Sequence, residues 1–125
     1  MIYILIGDRM SGKTEFLKNM NMTRLNQEDI ERLHFCDKLI GAKNIAIDEY
    51  DGTNLFVNGF IKNINEGINI FIYKKCKTSI YIETNEINLF LVTRPCYWEN
   101  VIPQDIKNMC KPIYFKKEDI KGGNG

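Results

Sequence analysis

Apolar residues along this chain fall into short runs, each stopped by glycine or by charge. Residues 2–6 (Ile-Tyr-Ile-Leu-Ile) stop at Gly7, residues 44–47 run into Asp48-Glu49, and residues 89–93 close on Arg94-Pro95. Runs this short and this apolar suit strands buried on both faces of a sheet. Residues 112–115 predict a last strand. Between these runs the apolar spacing turns helical. From Lys13 to Met20 it places Phe16, Leu17 and Met20 on one side. Asn26 suits an N-cap, with Glu28 and Asp29 in the first turn, Ile30, Leu33, Asp37 and Ile40 at helical spacing, and Gly41 to end the helix. Residues 53–66 set Leu55, Phe56, Phe60 and Ile64 on one side before Gly67, and residues 104–109 form a short helix. Residues 68–84 alternate through Ile68, Ile70, Ile72, Ile80 and Ile82, broken by Lys74-Lys75-Cys76-Lys77, which predicts a β-hairpin.

Buried runs separated by helical segments predict an α/β fold with a mostly parallel sheet. In such sheets ligands sit beyond the carboxyl ends of the strands. The pairs that close the runs, Gly7-Asp8, Asp48-Glu49 and Thr93-Arg94, are therefore expected along one rim.

Composition changes this picture little. With 125 residues the chain is expected to hold one domain, over residues 1–118, with a flexible glycine-rich tail at 119–125. Its 44% apolar and 26% charged residues argue against disorder, and a net charge of +1 points neither toward nor away from nucleic acid. The apolar start is too short for a signal peptide, and no run approaches the roughly 18 apolar residues that a membrane span needs. No membrane association is expected, and the expected location is cytoplasmic, the host cytoplasm for a viral protein. Cys36, Cys76, Cys96 and Cys110 are widely spaced and include no Cys-x-x-Cys pair, so they read as unrelated thiols. His34, the one histidine, is expected to be packed or exposed rather than catalytic.

The candidate chemistry starts at Gly7-Asp8-Arg9-Met10-Ser11-Gly12-Lys13-Thr14, which fits G-x-x-x-x-G-K-[ST] between a strand and a helix. Backbone N–H groups of such a loop wrap a β-phosphate, and the helix N-terminus adds partial positive charge. Lys13 is expected to neutralise the β- and γ-phosphates, and the Thr14 hydroxyl to take one magnesium position. Chance would produce the pattern in only roughly a few per thousand chains of this length. A carboxylate ending a buried strand is expensive unless it faces water or a cation. Asp48 is therefore expected to hold the magnesium, and Glu49 to orient or deprotonate an attacking water. Thr93 is expected to hydrogen-bond the γ-phosphate or that water. Arg94, one of four arginines with Arg9, Arg24 and Arg32, is expected to stabilise transition-state charge, in a neighbour's site as an arginine finger or in its own chain as a sensor, the alternative being a surface ion pair. Arg9, within the loop, is expected to reach phosphate or a partner.

These motifs resemble a known group. Gly7 to Thr14 is similar to a Walker A motif, and Ile45-Ala46-Ile47-Asp48-Glu49 resembles Walker B with the extra glutamate of ASCE-class P-loop ATPases. Residues 87–95, with 102–106 and 113–115 after them, are similar to the end of FtsK–HerA type DNA-pumping ATPases, a group that includes viral genome-packaging motors. This chain lacks that family's glutamine between Thr93 and Arg94. The resemblance implies a small three-layer α/β/α P-loop NTPase fold, ATP and magnesium as ligands, and an oligomeric ATPase acting on double-stranded DNA or a protein partner. Two other classes share the motifs. Met10-Ser11-Gly12-Lys13-Thr14 and the Asp-Glu pair also resemble thymidine kinases, whose zinc-ribbon Cys-x-x-Cys pairs are missing here; a slow regulatory nucleotide switch is the third.

Overall fold

The structure, a computed structural model, describes residues 1–8, 10–73 and 79–116. In chain order the regular elements are β1 (Ile2–Ile6), α1 (Lys13–Lys18), β2 (Thr23–Leu25), α2 (Gln27–Glu31), β3 (Asn44–Ile47), α3 (Leu55–Glu66), β4 (Ile70–Ile72), β5 (Ile80–Ile82), β6 (Asn88–Thr93), α4 (Pro95–Asn100), α5 (Gln104–Met109) and β7 (Lys111–Tyr114). Three-residue 3₁₀ turns occupy Leu33–Phe35, Asp37–Leu39 and Thr84–Glu86.

Five strands make one sheet in the order β2-β3-β6-β1-β7, and every pairing in it is parallel. Parallel strands need helical crossovers, which cover the faces and make the central strands apolar on both sides. Along β1, Ile2, Ile4 and Ile6 enter the larger core with α3, while Leu5 enters a smaller one with Leu17 of α1. The same alternation splits Ile45 and Ile47 from Ala46, and Leu89 and Leu91 from Phe90. The result is three layers, with α1 on one face of the sheet and α2, α3 and α5 on the other. Truncating a side chain such as Leu91, which has no exposed surface, should cost about 2–5 kcal/mol. β4 and β5 pair antiparallel, with Phe71 opposite Tyr81, as the predicted hairpin, but they form a separate two-stranded sheet beside the larger core.

Four elements depart from the sequence pattern, one of them the helix α4 (Pro95–Asn100), which the pattern did not show. The helix expected from Asn26 to Gly41 ends at Glu31. Its start is as predicted: the Asn26 side chain accepts from the Asp29 N–H at 2.8 Å, and the Asp29 carboxylate accepts from the Asn26 N–H at 3.0 Å. From the helix onward the residues facing the core are Ile30, Leu33, Cys36 and Leu39, whereas Ile40 is exposed. A spacing of three fits 3₁₀ turns, whose side chains eclipse at i and i+3, and the chain takes that form. The helix expected from Thr53 begins at Leu55, because the Asn54 side chain caps Phe56 and Val57 N–H at 2.9 and 3.2 Å. Thr53 instead closes a turn on the Asp51 carboxylate. Finally, the segment between α1 and β3 contains a strand, β2, that the pattern did not show. It has only three residues, of which only Leu25 is buried.

The break at Lys74-Lys75-Cys76-Lys77, the loop residue Arg9, and the domain end at 118 with its tail at 119–125 lie outside the described residues. Among the described residues no helix is long and apolar enough to cross a membrane. Cys36, Cys96 and Cys110 are free thiols. Burial pushes the Cys110 thiol up to about 12, far from a reactive range.

Candidate functional site

The parallel sheet carries the ends of β1, β3 and β6 to one edge. β6 lies between the other two, with Ile6 in register with Thr93 and Ile47 in register with Leu91. The loops leaving this edge enclose a cleft of about 1040 Å³ whose wall includes Lys13, Thr14, Asp48, Glu49 and Arg94. Most of the residues singled out from the sequence thus converge in space, although they come from three separate stretches of chain.

The loop after β1 is tightly fixed. A Cβ on Gly7 would lie 2.4 Å from the Ser11 hydroxyl oxygen and 2.9 Å from the Phe115 carbonyl oxygen, so only glycine fits. Gly12 takes φ 99°, a left-handed conformation that admits glycine at least cost, and caps α1. Met10, at φ 62° and 90% exposed, forms the outward corner of the loop. Ser11 N–H donates to the Asp8 carbonyl at 3.3 Å, and the buried Ser11 hydroxyl has no hydrogen-bond partner among the described residues.

Lys13 folds back across the loop. Its ammonium donates to the Gly7 carbonyl and, at 3.0 Å, to the Thr93 carbonyl, which ties the loop to the end of β6. Partial burial holds its pKa below the ordinary lysine value, and repulsion from Arg94 adds to this while Asp8 opposes it. A lysine so placed gains most from an anion entering the cleft.

Asp48 and Glu49 are both exposed, and they bracket a sharp change of chain direction. Glu49 has φ 53°, a left-handed conformation that costs a non-glycine residue roughly 1–2 kcal/mol. Strain of this kind gathers at functional sites. The next residue holds it in place: Tyr50 is 2% exposed, its N–H donates to the Val92 carbonyl at 2.8 Å, and its hydroxyl donates to Asn58 at 2.6 Å. Burial pushes the Tyr50 hydroxyl well above its usual pKa, so it stays a neutral donor. Nothing in the sequence marked Tyr50 as the anchor of the acidic pair.

One placement differs from expectation. The Thr93 hydroxyl, expected to face phosphate or water, is buried and donates to the Tyr50 carbonyl at 2.6 Å. Thr93 meets the cleft through its backbone carbonyl and braces the turn that carries Glu49. Arg94 stands on the wall of its own chain's cleft, on the rim expected for it, and its carbonyl accepts the first N–H bonds of α4. Among the described residues it makes no ion pair. Asp48 has a partner the sequence did not suggest: Arg24 of β2 donates to its carboxylate at 2.8 Å. Glu15, Gln27, Asp51 and Tyr97 also line the wall.

His34 is remote from this cleft. It hydrogen-bonds the Phe71 carbonyl at 2.8 Å and packs on Tyr73 at the hairpin.

No family model and no curated relative matches this chain. Solved structures do. The C-terminal region of NrS-1 matches with a TM-score of 0.67 at 17% identity, over 94% of this chain and 29% of that one. The JCV helicase matches at 0.61 and 17% identity, over 94% and 36%. NtrX from Brucella abortus, solved with ATP, matches at 0.61 and 13% identity, over 92% and 32%. The chain thus spans about a third of the length of the solved chains it matches. At such low identity the likeness speaks for fold alone. Together with the five-stranded parallel sheet and its covered faces, it gives this chain the three-layer α/β fold of P-loop NTPase domains.

Proposed function

We propose that this chain binds a nucleoside triphosphate with magnesium and hydrolyses it, as an ATPase of the ASCE class. The observation that carries this reading is the meeting of Lys13, Thr14, Asp48 and Glu49 around one cleft at the carboxyl edge of the sheet.

The donor set fits a magnesium–nucleotide complex. Magnesium prefers oxygen ligands and keeps several waters, so one hydroxyl and one carboxylate beside phosphate oxygens suffice. Among the described residues no group of three or more His, Cys, Asp or Glu could hold a metal by itself, so a metal here would depend on the nucleotide. Thr14 and Asp48 would hold the ion, which when bound supplies neutralising charge to the phosphate oxygens. Lys13 exchanges its two carbonyl partners for β- and γ-phosphate oxygens, a stronger charge-assisted bond. Glu49, turned out from the strand by its left-handed backbone, accepts a proton from the attacking water. Arg94 stabilises the charge that develops on the transferred phosphoryl group, from its own chain.

DNA is the partner favoured for the work this hydrolysis drives. Support comes from the resemblance of residues 87–95 to DNA-pumping ATPases and from the JCV helicase among the structural neighbours. A ring of copies would suit a packaging or translocation motor.

The test is phosphate release with and without double-stranded DNA, set against phosphoryl transfer to thymidine, in the parent and in Glu49→Gln. The expected result is DNA-stimulated release in the parent, no transfer, and a mutant that binds ATP yet turns over about a hundred- to ten-thousandfold more slowly. Transfer to thymidine, or equal turnover in the mutant, overturns the hydrolase reading.

A further inference from the structure

Arg24 lies in a short strand at the edge of the sheet, and neither the loop motif nor the acidic pair accounts for it. Side chains alternate along β2: Leu25 enters the larger core, so Arg24 points to the face that carries α1. Its register partner is Ala46, whose side chain lies in the core on that same face. Asp48 follows two residues later, one pleat further along, within reach of a long side chain. The Arg24 guanidinium bonds its carboxylate at 2.8 Å.

Two features make this pair ready to exchange partners. Both side chains are close to half exposed, at 45% and 46%, which places the pair among the weak and readily exchanged ones. Arg24 also lines the same cleft as Lys13 and Thr14. A divalent cation held by Thr14 and Asp48 would compete with the guanidinium for one carboxylate and repel it at short range. Once released, the guanidinium has phosphate oxygens as its strongest available partners. Its planar fork matches two of them, which a lysine ammonium cannot do.

We propose that Arg24 is a nucleotide-contacting residue that exchanges partners: it pairs with Asp48 until the metal takes that carboxylate, then bonds the terminal phosphate of the triphosphate. This rests on the magnesium–triphosphate reading of the cleft. It makes metal loading and recognition of the third phosphate one coupled event, so a diphosphate leaves Arg24 without its second partner.

The experiment measures equilibrium binding of fluorescent adenosine tri- and diphosphates over a magnesium titration, in the parent, Arg24→Ala and Arg24→Lys, with thermal unfolding to confirm the fold of each. Two changes are expected in Arg24→Ala. The magnesium concentration that half-saturates diphosphate binding should fall severalfold, because Asp48 loses its competitor. The preference for triphosphate over diphosphate should drop about tenfold, because the fork no longer meets the third phosphate. Arg24→Lys, folded like the parent, should keep the magnesium requirement near the parent's and recover only part of the preference. An unchanged triphosphate preference in folded Arg24→Ala overturns the phosphate contact, and an unchanged magnesium requirement overturns the exchange. Failure of the parent to bind either nucleotide would instead sink the underlying reading of the cleft.

Discussion

The Thr93 hydroxyl donates to the Tyr50 carbonyl at 2.6 Å, and this one buried bond joins the end of β6 to the turn that presents Asp48 and Glu49. Thr93 also offers its carbonyl to Lys13 at 3.0 Å, so a single residue touches both halves of the candidate site. Thr93→Val keeps the shape and removes the donor, leaving a buried carbonyl unpaired. It should cost about 1–3 kcal/mol in urea unfolding, with a smaller loss for Thr93→Ser, which keeps the hydroxyl. A Thr93→Val protein as stable as the parent but a hundredfold slower in hydrolysis would show that the hydroxyl faces substrate after all.

Lys13 makes the site pH-sensitive in a defined direction. Burial, with Arg94 adding to it, lowers its pKa below the ordinary 10.5, so its charge is lost earlier than an ordinary lysine's as pH rises. Triphosphate affinity, which needs that charge, should therefore start to fall on the alkaline side below pH 10.5. Because the folded value lies below the unfolded one, the protonated lysine costs stability at neutral pH. That cost is relieved as pH climbs from the folded value toward the unfolded one. Asp8 raises the value, so Asp8→Asn should move the fall in affinity to lower pH. Binding followed between pH 7.5 and 10 checks this; an unmoved profile in Asp8→Asn contradicts it.

Arg94 stands in its own chain's cleft, and its action should be confined there. Arg94→Lys should lose most turnover while keeping nucleotide affinity, because lysine lacks the bidentate fork. Mixing Arg94→Lys with Glu49→Gln should restore nothing. Recovery of activity in the mixture would show the arginine serving a neighbour, because only a mixed interface joins an intact Glu49 to an intact Arg94.

Much of the fold was legible because parallel strands buried on both faces leave unbroken apolar runs, and β1, β3 and β6 are such runs. β2 escaped because an edge strand of three residues, with one buried side chain, has no period to read. The false long helix came from counting Asp37 and Ile40 as one stripe with Ile30, whereas packing chose Cys36 and Leu39. At the site, the loop and acidic pair were readable because their chemistry constrains adjacent residues. Tyr50, Arg24 and the turned Thr93 hydroxyl were not, since each depends on contacts between distant stretches of chain that the tertiary fold alone sets.

The central claim is that the cleft binds a magnesium–triphosphate complex through Lys13. The direct measurement is calorimetric titration of ATP, with and without magnesium, into the parent and into Lys13→Ala, with circular dichroism confirming that both are folded. The parent should bind only weakly without magnesium and much more tightly with it, and Lys13→Ala should lose about a hundredfold or more of that affinity. Equal affinity in a folded Lys13→Ala protein, or no binding by the parent, would contradict the account.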